Sequence, residues 1–296
     1  MRTCVIFNPV AKGEKARQFR ASLEAIGATC ELKKTTAAGD ARKLAAAAIA
    51  EGFELIVAAG GDGTLNEVLN GLGDAPDGFT RACLGVLPLG TVNVFARELK
   101  IPLQPDTAWQ AIRNGRETRI DLPWAEFTQD ARPQRQYFAQ LAGAGLDARA
   151  IELVSWPLKK KVGPLAYVVA GLKAIREQRP IIAATDGKSS FAGELVLIGN
   201  GRLYGGDYEI LANAKLTDGR LDVCVFPRTN WWTLLRCGPP LLLRGKLPES
   251  AVRRFQAAEF SLTSESPAAF ELEGELIGHL PVKFGVVPRG LRVWIP

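Results

Sequence analysis

The sequence predicts a two-domain chain: an N-terminal α/β domain on a parallel sheet, then a second domain of mainly antiparallel β-structure. Three observations carry this. Up to about residue 120, short apolar runs alternate with helical stripes at the spacing of βα units. Beyond it, strand-like runs separated by turn residues dominate. The 296 residues, 47% hydrophobic and 23% charged, suffice for one large core or two ordinary ones.

Taken in order, Val5-Ile6-Phe7 reads as a buried strand ending in Asn8-Pro9-Val10-Ala11-Lys12-Gly13. The next helix carries an inward stripe of Ala16, Phe19, Leu23 and Ile26 and stops at Gly27. Thr29 to Leu32 gives a second strand, and Asp40 is placed to cap an alanine-rich helix running to Gly52. Leu55 to Ala59 is the third strand. A helix opens at Thr64 with Leu65, Val68, Leu69 and Leu72 on one face. Leu84 to Leu87 is the fourth strand, followed by Pro88-Leu89-Gly90-Thr91-Val92-Asn93, a helix through Leu99, and another marked by Trp109 and Ile112.

The later strands are read at Arg119–Leu122, Tyr137–Ala142, Ile181–Thr185, Glu194–Gly199, Leu221–Phe226, Glu259–Leu262, Ala269–Glu273, Val282–Val286 and Leu291–Ile295. Asp130 to Arg135 reads as an exposed hairpin loop, and Pro164–Ile175 and Trp231–Leu243 as helical inserts.

In a parallel sheet ligands bind at the carboxyl ends of the strands. The turns at Asn8–Gly13, Gly60–Thr64 and Leu89–Asn93 all follow strands, so they share that edge. Gly60-Gly61-Asp62-Gly63-Thr64 stands out among them. Its glycines let backbone approach a ligand closely, and the helix start behind them offers unpaired N–H groups to an anion. Asp62 sets one carboxylate there, as needed where a metal ion or hydroxyl meets a phosphate. A tight β–α connection with Asp62 as a helix cap explains the same residues. No turn is GxGxxG or GxxxxGK[ST], which argues against a dinucleotide site and an ordinary P-loop.

Composition narrows the classes further. Five cysteines without CxxC pairs read as buried thiols in a reducing cytoplasm, and a single histidine, His279, makes a zinc site improbable. His279 itself reads as a strand residue. The N-terminal apolar run is too short for a signal peptide and no stretch spans a bilayer, so a cytoplasmic protein is expected. The net charge is +6, with 19 basic and 14 acidic residues in 151–296. That excess suits either an anionic surface or a solvated basic face. No helix-turn-helix, zinc or RNP signature supports nucleic-acid binding.

Nine sequence blocks, in this order, resemble the diacylglycerol kinase catalytic-domain family, which includes bacterial lipid kinases and the sphingosine and ceramide kinases. They are Asn8-Pro9, Thr35 before Gly39-Asp40-Ala41, Gly60 to Glu67, Pro88 to Arg97, Gly143 to Ala148, Tyr204-Gly205-Gly206, Asp218 to Val223, Glu273-Gly274-Glu275 and Val287-Pro288-Arg289. The likeness spans nearly the whole chain. It implies an N-terminal domain similar to those of NAD kinases and phosphofructokinases, a C-terminal β-sandwich, and an active site in the cleft between them. On it, residues 1–120 with the returning segment 287–296 form the nucleotide domain, and residues 121–286 the lipid-substrate domain.

By the same resemblance, ATP contacts Asn8, Pro9, Thr35, the segment Gly60, Gly61, Asp62, Gly63, Thr64, Leu65 and Asn66, and Thr91. Lys12 is placed to add a cation near a phosphate; a solvated loop lysine is the plainer reading. Phosphoryl transfer to a hydroxyl needs positioning, Mg²⁺ across the phosphates and a base. The candidate carboxylates are Asp62, Glu273 and Glu275. The family motif at 273–275 begins with aspartate, so Glu273 departs from it by one methylene, and the plain reading is a charged turn. Lys215, Asp218 and Arg220 match a segment that holds a structural Mg²⁺ through one aspartate and main-chain oxygens; a plain hairpin turn fits the same residues. Val94 stands where relatives often carry aspartate. Asp147 and Asp222 read as turn or strand-end residues.

A lipid acceptor brings a membrane. Trp156-Pro157-Leu158-Lys159-Lys160-Lys161 combines an aromatic with three cations, and Trp231–Leu235 with Leu241–Lys246 forms a second candidate for peripheral contact. Core packing of that second helix is the alternative. Two other functions stay open on the sequence: a nucleotide-binding regulatory module weakened at Glu273 and Val94, and a kinase of a soluble metabolite. Lipid turnover separates the first from an enzyme, and vesicle dependence separates the second.

Overall fold

Three short apolar strands, β1 (Thr3–Phe7), β3 (Leu55–Gly60) and β4 (Cys83–Pro88), and a charged edge strand, β2 (Glu31–Lys34), pair in parallel in the order β2-β1-β3-β4. Strands β3 and β4 are buried throughout, as expected of a sheet covered on both faces. The fold is taken from a computed structural model, which describes residues 1–9, 14–21, 23–153, 180–244 and 246–296. Lys12, the Trp156–Lys161 segment and the Pro164–Ile175 insert lie outside the described residues.

Helices α1 (Glu14–Ala21), α2 (Leu23–Gly27), α3 (Asp40–Ala50), α4 (Asp62–Asp74), α5 (Gly78–Arg81), α6 (Val94–Glu98) and α7 (Pro105–Asn114) connect or flank these strands. The expected stripe of α4 is buried at Leu65, Val68, Leu69 and Leu72. The first expected helix is described over Glu14–Ala21 and Leu23–Gly27, with Phe19 and Ile26 inward. Strand β2 sits two residues later than its sequence pattern indicates.

Asp40 does not cap its helix. Its carboxylate turns back to accept from the Thr36 and Ala37 N–H groups, each at 2.9 Å. The start of α3 is instead closed by Glu67 of α4, whose oxygens accept from Gly39 N (2.8 Å) and Ala41 N (2.9 Å).

The second half of the chain supplies β5 (Arg116–Gln129), β6 (Arg132–Tyr137), β7 (Leu141–Gly145), α8 (Leu146–Glu152), β8 (Ile182–Thr185), β9 (Ser190–Gly193), β10 (Leu195–Gly199), β11 (Leu221–Phe226), α9 (Trp231–Arg244), β12 (Arg253–Ala257), β13 (Glu259–Ser264), β14 (Ala269–Leu272), β15 (Glu275–His279) and β16 (Val282–Ile295). Sequence patterning splits the last strand in two at Val287–Gly290. In the structure that stretch is an irregularity inside one strand, which pairs with β5 from Val282↔Phe127 to Ile295↔Arg116. Its far end returns to the first sheet, where Val293 pairs in parallel with Leu84 of β4.

The parallel sheet thus continues through β16 into antiparallel β13, β8 and β9, while a separate antiparallel sheet runs β12-β11-β10-β7-β14-β15. The two sheets enclose a core of Phe127, Phe260 and Phe284 from one and Ile198, Val223, Phe270 and Leu272 from the other. Most of the expected Asp130–Arg135 loop is strand; only Asp130 and Ala131 turn, with φ of 49° and 59°.

Candidate active site

The carboxyl ends of the parallel strands lie level with one another. Phe7 pairs with Lys34 on one side and Ala59 on the other, and Gly60 pairs with Pro88. Asn8, Thr35, Gly61 and Leu89 therefore leave the sheet along one edge. Thr91 is exposed there, and Thr35 is buried with its N–H donated to the Phe7 carbonyl. The two glycine turns pack backbone to backbone: a Cβ on Gly90 would sit 2.5 Å from Gly61 Cα. Asn66 is buried, and Asn70 Nδ2 holds its side-chain oxygen at 3.0 Å.

Asp62 is the first residue of α4, and its carboxylate lies against the backbone of Asn93, Val94 and Phe95 at the start of α6, whose N–H groups favour its charged form. Burial nonetheless raises its pKa above the usual carboxylate range, those N–H groups opposing the shift. Val94 packs in an apolar cluster with Leu141 and Leu203.

Across the cleft, strands β14 and β15 are joined by a two-residue turn, Glu273-Gly274, flanked by the pair Leu272↔Glu275. Both turn residues have left-handed backbone, φ 54° and 82°. This is the type I′ hairpin connection that favours Asp-Gly or Asn-Gly, and glutamate occupies it at some cost in strain. The side chain is held inward. Glu273 Oε1 accepts from Ala139 N (2.7 Å) and Gln140 N (2.6 Å), and the residue's own N–H goes to the Leu141 carbonyl. Because Ala139 and Gln140 spend their N–H groups on this carboxylate, the expected strand from Tyr137 to Ala142 breaks there into β6 and β7. Glu273 Oε2 is buried with no hydrogen-bond partner among the described residues. Burial pushes the Glu273 carboxyl up to about 8, and the nearby Asp62 charge adds to the shift. Glu275, exposed, leans over the start of α4: a Cβ on Gly63 would meet its Oε1 at 2.7 Å.

The sequence reading passes over a second acidic layer beneath this turn. Asp147, in the first turn of α8, receives the Tyr204 hydroxyl at 2.5 Å and hydrogen-bonds to Glu271. Glu271 in turn accepts the Gly274 N–H at 2.6 Å, fixing the hairpin from below. Burial raises both carboxyls. The signal was present: acids at alternate positions 271, 273 and 275 place two side chains on one face of the hairpin and the third beyond its turn. Asp222 is a strand residue whose carboxylate accepts from Gln256 at 2.8 Å. His279 ends β15 and is exposed.

Lys215, Asp218 and Arg220 are all exposed, and Asp218 Oδ1 accepts the Arg220 N–H at 3.1 Å. Their loop is fastened by another residue that sequence reasoning did not single out. Asp121, fully buried, accepts from Gly219 N at 2.6 Å and Arg289 N at 2.7 Å. No group of three Asp, Glu, His or Cys side chains placed to hold a metal occurs among the described residues.

Comparison with known proteins places this geometry. Residues 2–125 match the family model described as the diacylglycerol kinase catalytic domain, and residues 140–295 match a YegS C-terminal NAD kinase β-sandwich-like domain. The chain is 31% identical to a diacylglycerol kinase of Bacillus subtilis, covering 100% of this chain and 96% of that protein. It is 32% identical to a "probable lipid kinase YegS-like" of Pseudomonas putida, covering 99% and 94%. A crystal structure of a diacylglycerol kinase from Bacillus anthracis superposes with a TM-score of 0.71 at 20% identity, covering 100% and 97%, and shares the fold.

Proposed function

Because the chain belongs to the diacylglycerol kinase catalytic-domain family, we propose that it is an ATP-dependent lipid kinase, transferring the γ-phosphate to the hydroxyl of a diacylglycerol-like lipid. One observation carries the reading beyond family membership. Asp62 at the glycine-rich edge of the parallel sheet and Glu273 of the sandwich hairpin face each other closely enough for their charges to interact, with Glu275 over the same helix start. Such convergence of carboxylates on an anion-accepting turn suits phosphoryl transfer.

The nucleotide unit is residues 1–120 with the return at 287–296, and residues 121–286 form the lipid unit. ATP lies along Asn8, Pro9, Thr35, Gly60 to Asn66 and Thr91, where close backbone and neutral side chains meet the phosphates without repulsion. Asp62, the carboxylate at the glycine-rich turn, is the residue that would hold Mg²⁺, which leaves the orphaned Oε2 of Glu273 to the acceptor hydroxyl. Held there, the ion would supply positive charge to offset the negative charge developing on the transferred phosphate. A second, structural Mg²⁺ would be held by Asp218 with the main-chain oxygens of Lys215 and Arg220.

Glu273 accepts the acceptor hydroxyl's proton at its free Oε2, while Oε1 stays anchored to Ala139 and Gln140. Its raised affinity for a proton suits that task. Glu275 orients groups at the mouth of the cleft. A long-chain acceptor resides in a bilayer, so the enzyme works at the membrane surface of the cytoplasm.

The test is phosphate transfer from γ-labelled ATP to vesicles bearing diacylglycerol, a sphingoid base or phosphatidylglycerol, beside soluble alcohols. Label in a lipid, dependent on vesicles, is the expected result. ATP binding without turnover of any acceptor would make the chain a nucleotide-binding module.

A further inference from the structure

The outward face of α9 is built the wrong way round for a helix bathed in water. Cys237 and Leu241 point inward, onto the outer side of the sandwich beside Leu197, Leu211 and Phe226. The opposite face carries Trp232, Leu235, Pro239 and Leu243, at i, i+3, i+7 and i+11. Trp232 is 78% exposed, Leu235 65% and Leu243 84%, with Trp231 at 49% beside them. Most surface helices put charge there. Exposed apolar residues grouped on one face mark an interaction site.

Charge identifies what covers it. From Arg228 to Lys246 the chain holds four basic residues and no acidic one; of these, Lys246 pairs with Glu209 at 3.2 Å. Arg228 and Arg236 are exposed, the latter donating to Ser250 Oγ. A second copy would bring its own cations against these, whereas an anionic bilayer supplies the complementary charge. Tryptophan beside leucine with a basic flank is the composition of a helix lying in a lipid interface. At 14 residues α9 is only about 21 Å long, and no helix among the described residues is long and apolar enough to cross a membrane.

On the strength of the lipid-kinase reading, we propose that this face of α9 seats the enzyme on an anionic lipid bilayer, with Trp232, Leu235 and Leu243 entering the interface and Arg228 and Arg236 meeting headgroup phosphates.

The full chain is tested on vesicles of phosphatidylcholine containing about one-third phosphatidylglycerol, the anionic fraction supplying the attraction. Sedimentation with vesicles and quenching of tryptophan by acyl-brominated lipid are the readouts. Wild type should co-sediment, more weakly at high salt, and be quenched; Trp232→Phe should lose much of the quenching. Trp232→Glu with Leu235→Glu should lower vesicle affinity about tenfold or more, since charged groups are expelled from the interface. That variant should retain its melting temperature and its turnover of a short-chain, monomeric diacylglycerol, while losing turnover of vesicle-borne diacylglycerol.

Unchanged vesicle binding in the double variant would overturn the proposal. So would a wild-type dimer that the variant converts to monomer, because the face would then be an interface between copies. The two readings fail separately. Vesicle binding and quenching without phosphorylation of any lipid would sink the kinase and keep the docking face. Vesicle turnover indifferent to the double variant would do the reverse.

Discussion

Glu273 sits where backbone and chemistry disagree. A left-handed turn residue is most often glycine, asparagine or aspartate, and a buried carboxyl with one unpartnered oxygen is costly. Strain and desolvation gathered on one residue mark a group kept for use. Burial raises this acid from its ordinary 4.5 to about 8, so the folded protein holds a proton that the unfolded chain releases. Stability therefore falls as pH rises between those two values, by on the order of a few kcal/mol, whereas a base becomes competent only as pH rises towards 8. Glu273→Gln should flatten the stability slope in urea titrations run across that range. A slope unchanged in the variant would assign it to other buried acids. Glu273→Asp is expected to cut turnover about a hundredfold, because the shorter side chain cannot reach both the Ala139 and Gln140 N–H groups and the acceptor. Undiminished turnover would show that the turn adjusts. Asp62→Asn keeps the size of the side chain and one of its oxygens while removing the charge. It should leave melting and ATP affinity near wild type while lowering transfer about a hundredfold or more.

Helix α4 organises its neighbours through side chains rather than through its own ends. Asp62 at its first position faces the start of α6, and Glu67 a turn and a half later closes α3. Negative charge is favoured at a helix N-terminus; Asp62 stands at that of α4 itself as well as against α6, whereas the helix that Glu67 closes is not its own. Glu67→Ala strands the Gly39 and Ala41 N–H groups and should cost about 1–2 kcal/mol in denaturant unfolding. A change within error would mean water replaces it. The same arrangement explains what was legible in the sequence. The apolar stripe of α4 depends on local order alone and is legible in the sequence, whereas the helix begins at Asp62, two residues before the Thr64 that the pattern indicates. Which helix an acid caps depends on chain brought near by the sheet, and no local pattern carries that. Likewise the strand break at Phe138–Gln140 follows from a carboxylate more than 130 residues away. The Asp147–Glu271–Tyr204 layer joins three segments that share no motif.

At the scale of the molecule, the two halves are joined by continuous sheet and by paired polar contacts. Asn70 exchanges hydrogen bonds with the Tyr137 backbone. Glu98, at the end of α6, accepts from Gln140 and Leu203, and Arg97 pairs with Asp207. Asp121 fastens the Gly219 turn and the Arg289 irregularity at once. These contacts hold Asp62 and Glu273 in register across the cleft. Asp121→Asn leaves one acceptor oxygen for two N–H groups and should destabilise by about 1–3 kcal/mol, read as a lower melting temperature; an unshifted transition would remove Asp121 from that role. The sequence foretold the order of domains because α/β alternation and β-rich patterning differ in period. It did not foretell that one strand, β16, would run through both, since the irregularity at Val287–Gly290 looks locally like a turn.

The most direct measurement is transfer from γ-labelled ATP to vesicle-borne diacylglycerol by wild type and by Glu273→Gln, with ATP binding followed in the same samples. The expected result is labelled lipid with wild type, a loss of about a hundredfold or more in the variant, and equal ATP affinity in both. Wild type that binds ATP yet labels no lipid, or a variant that transfers as fast as wild type, would contradict a lipid kinase working through this carboxylate.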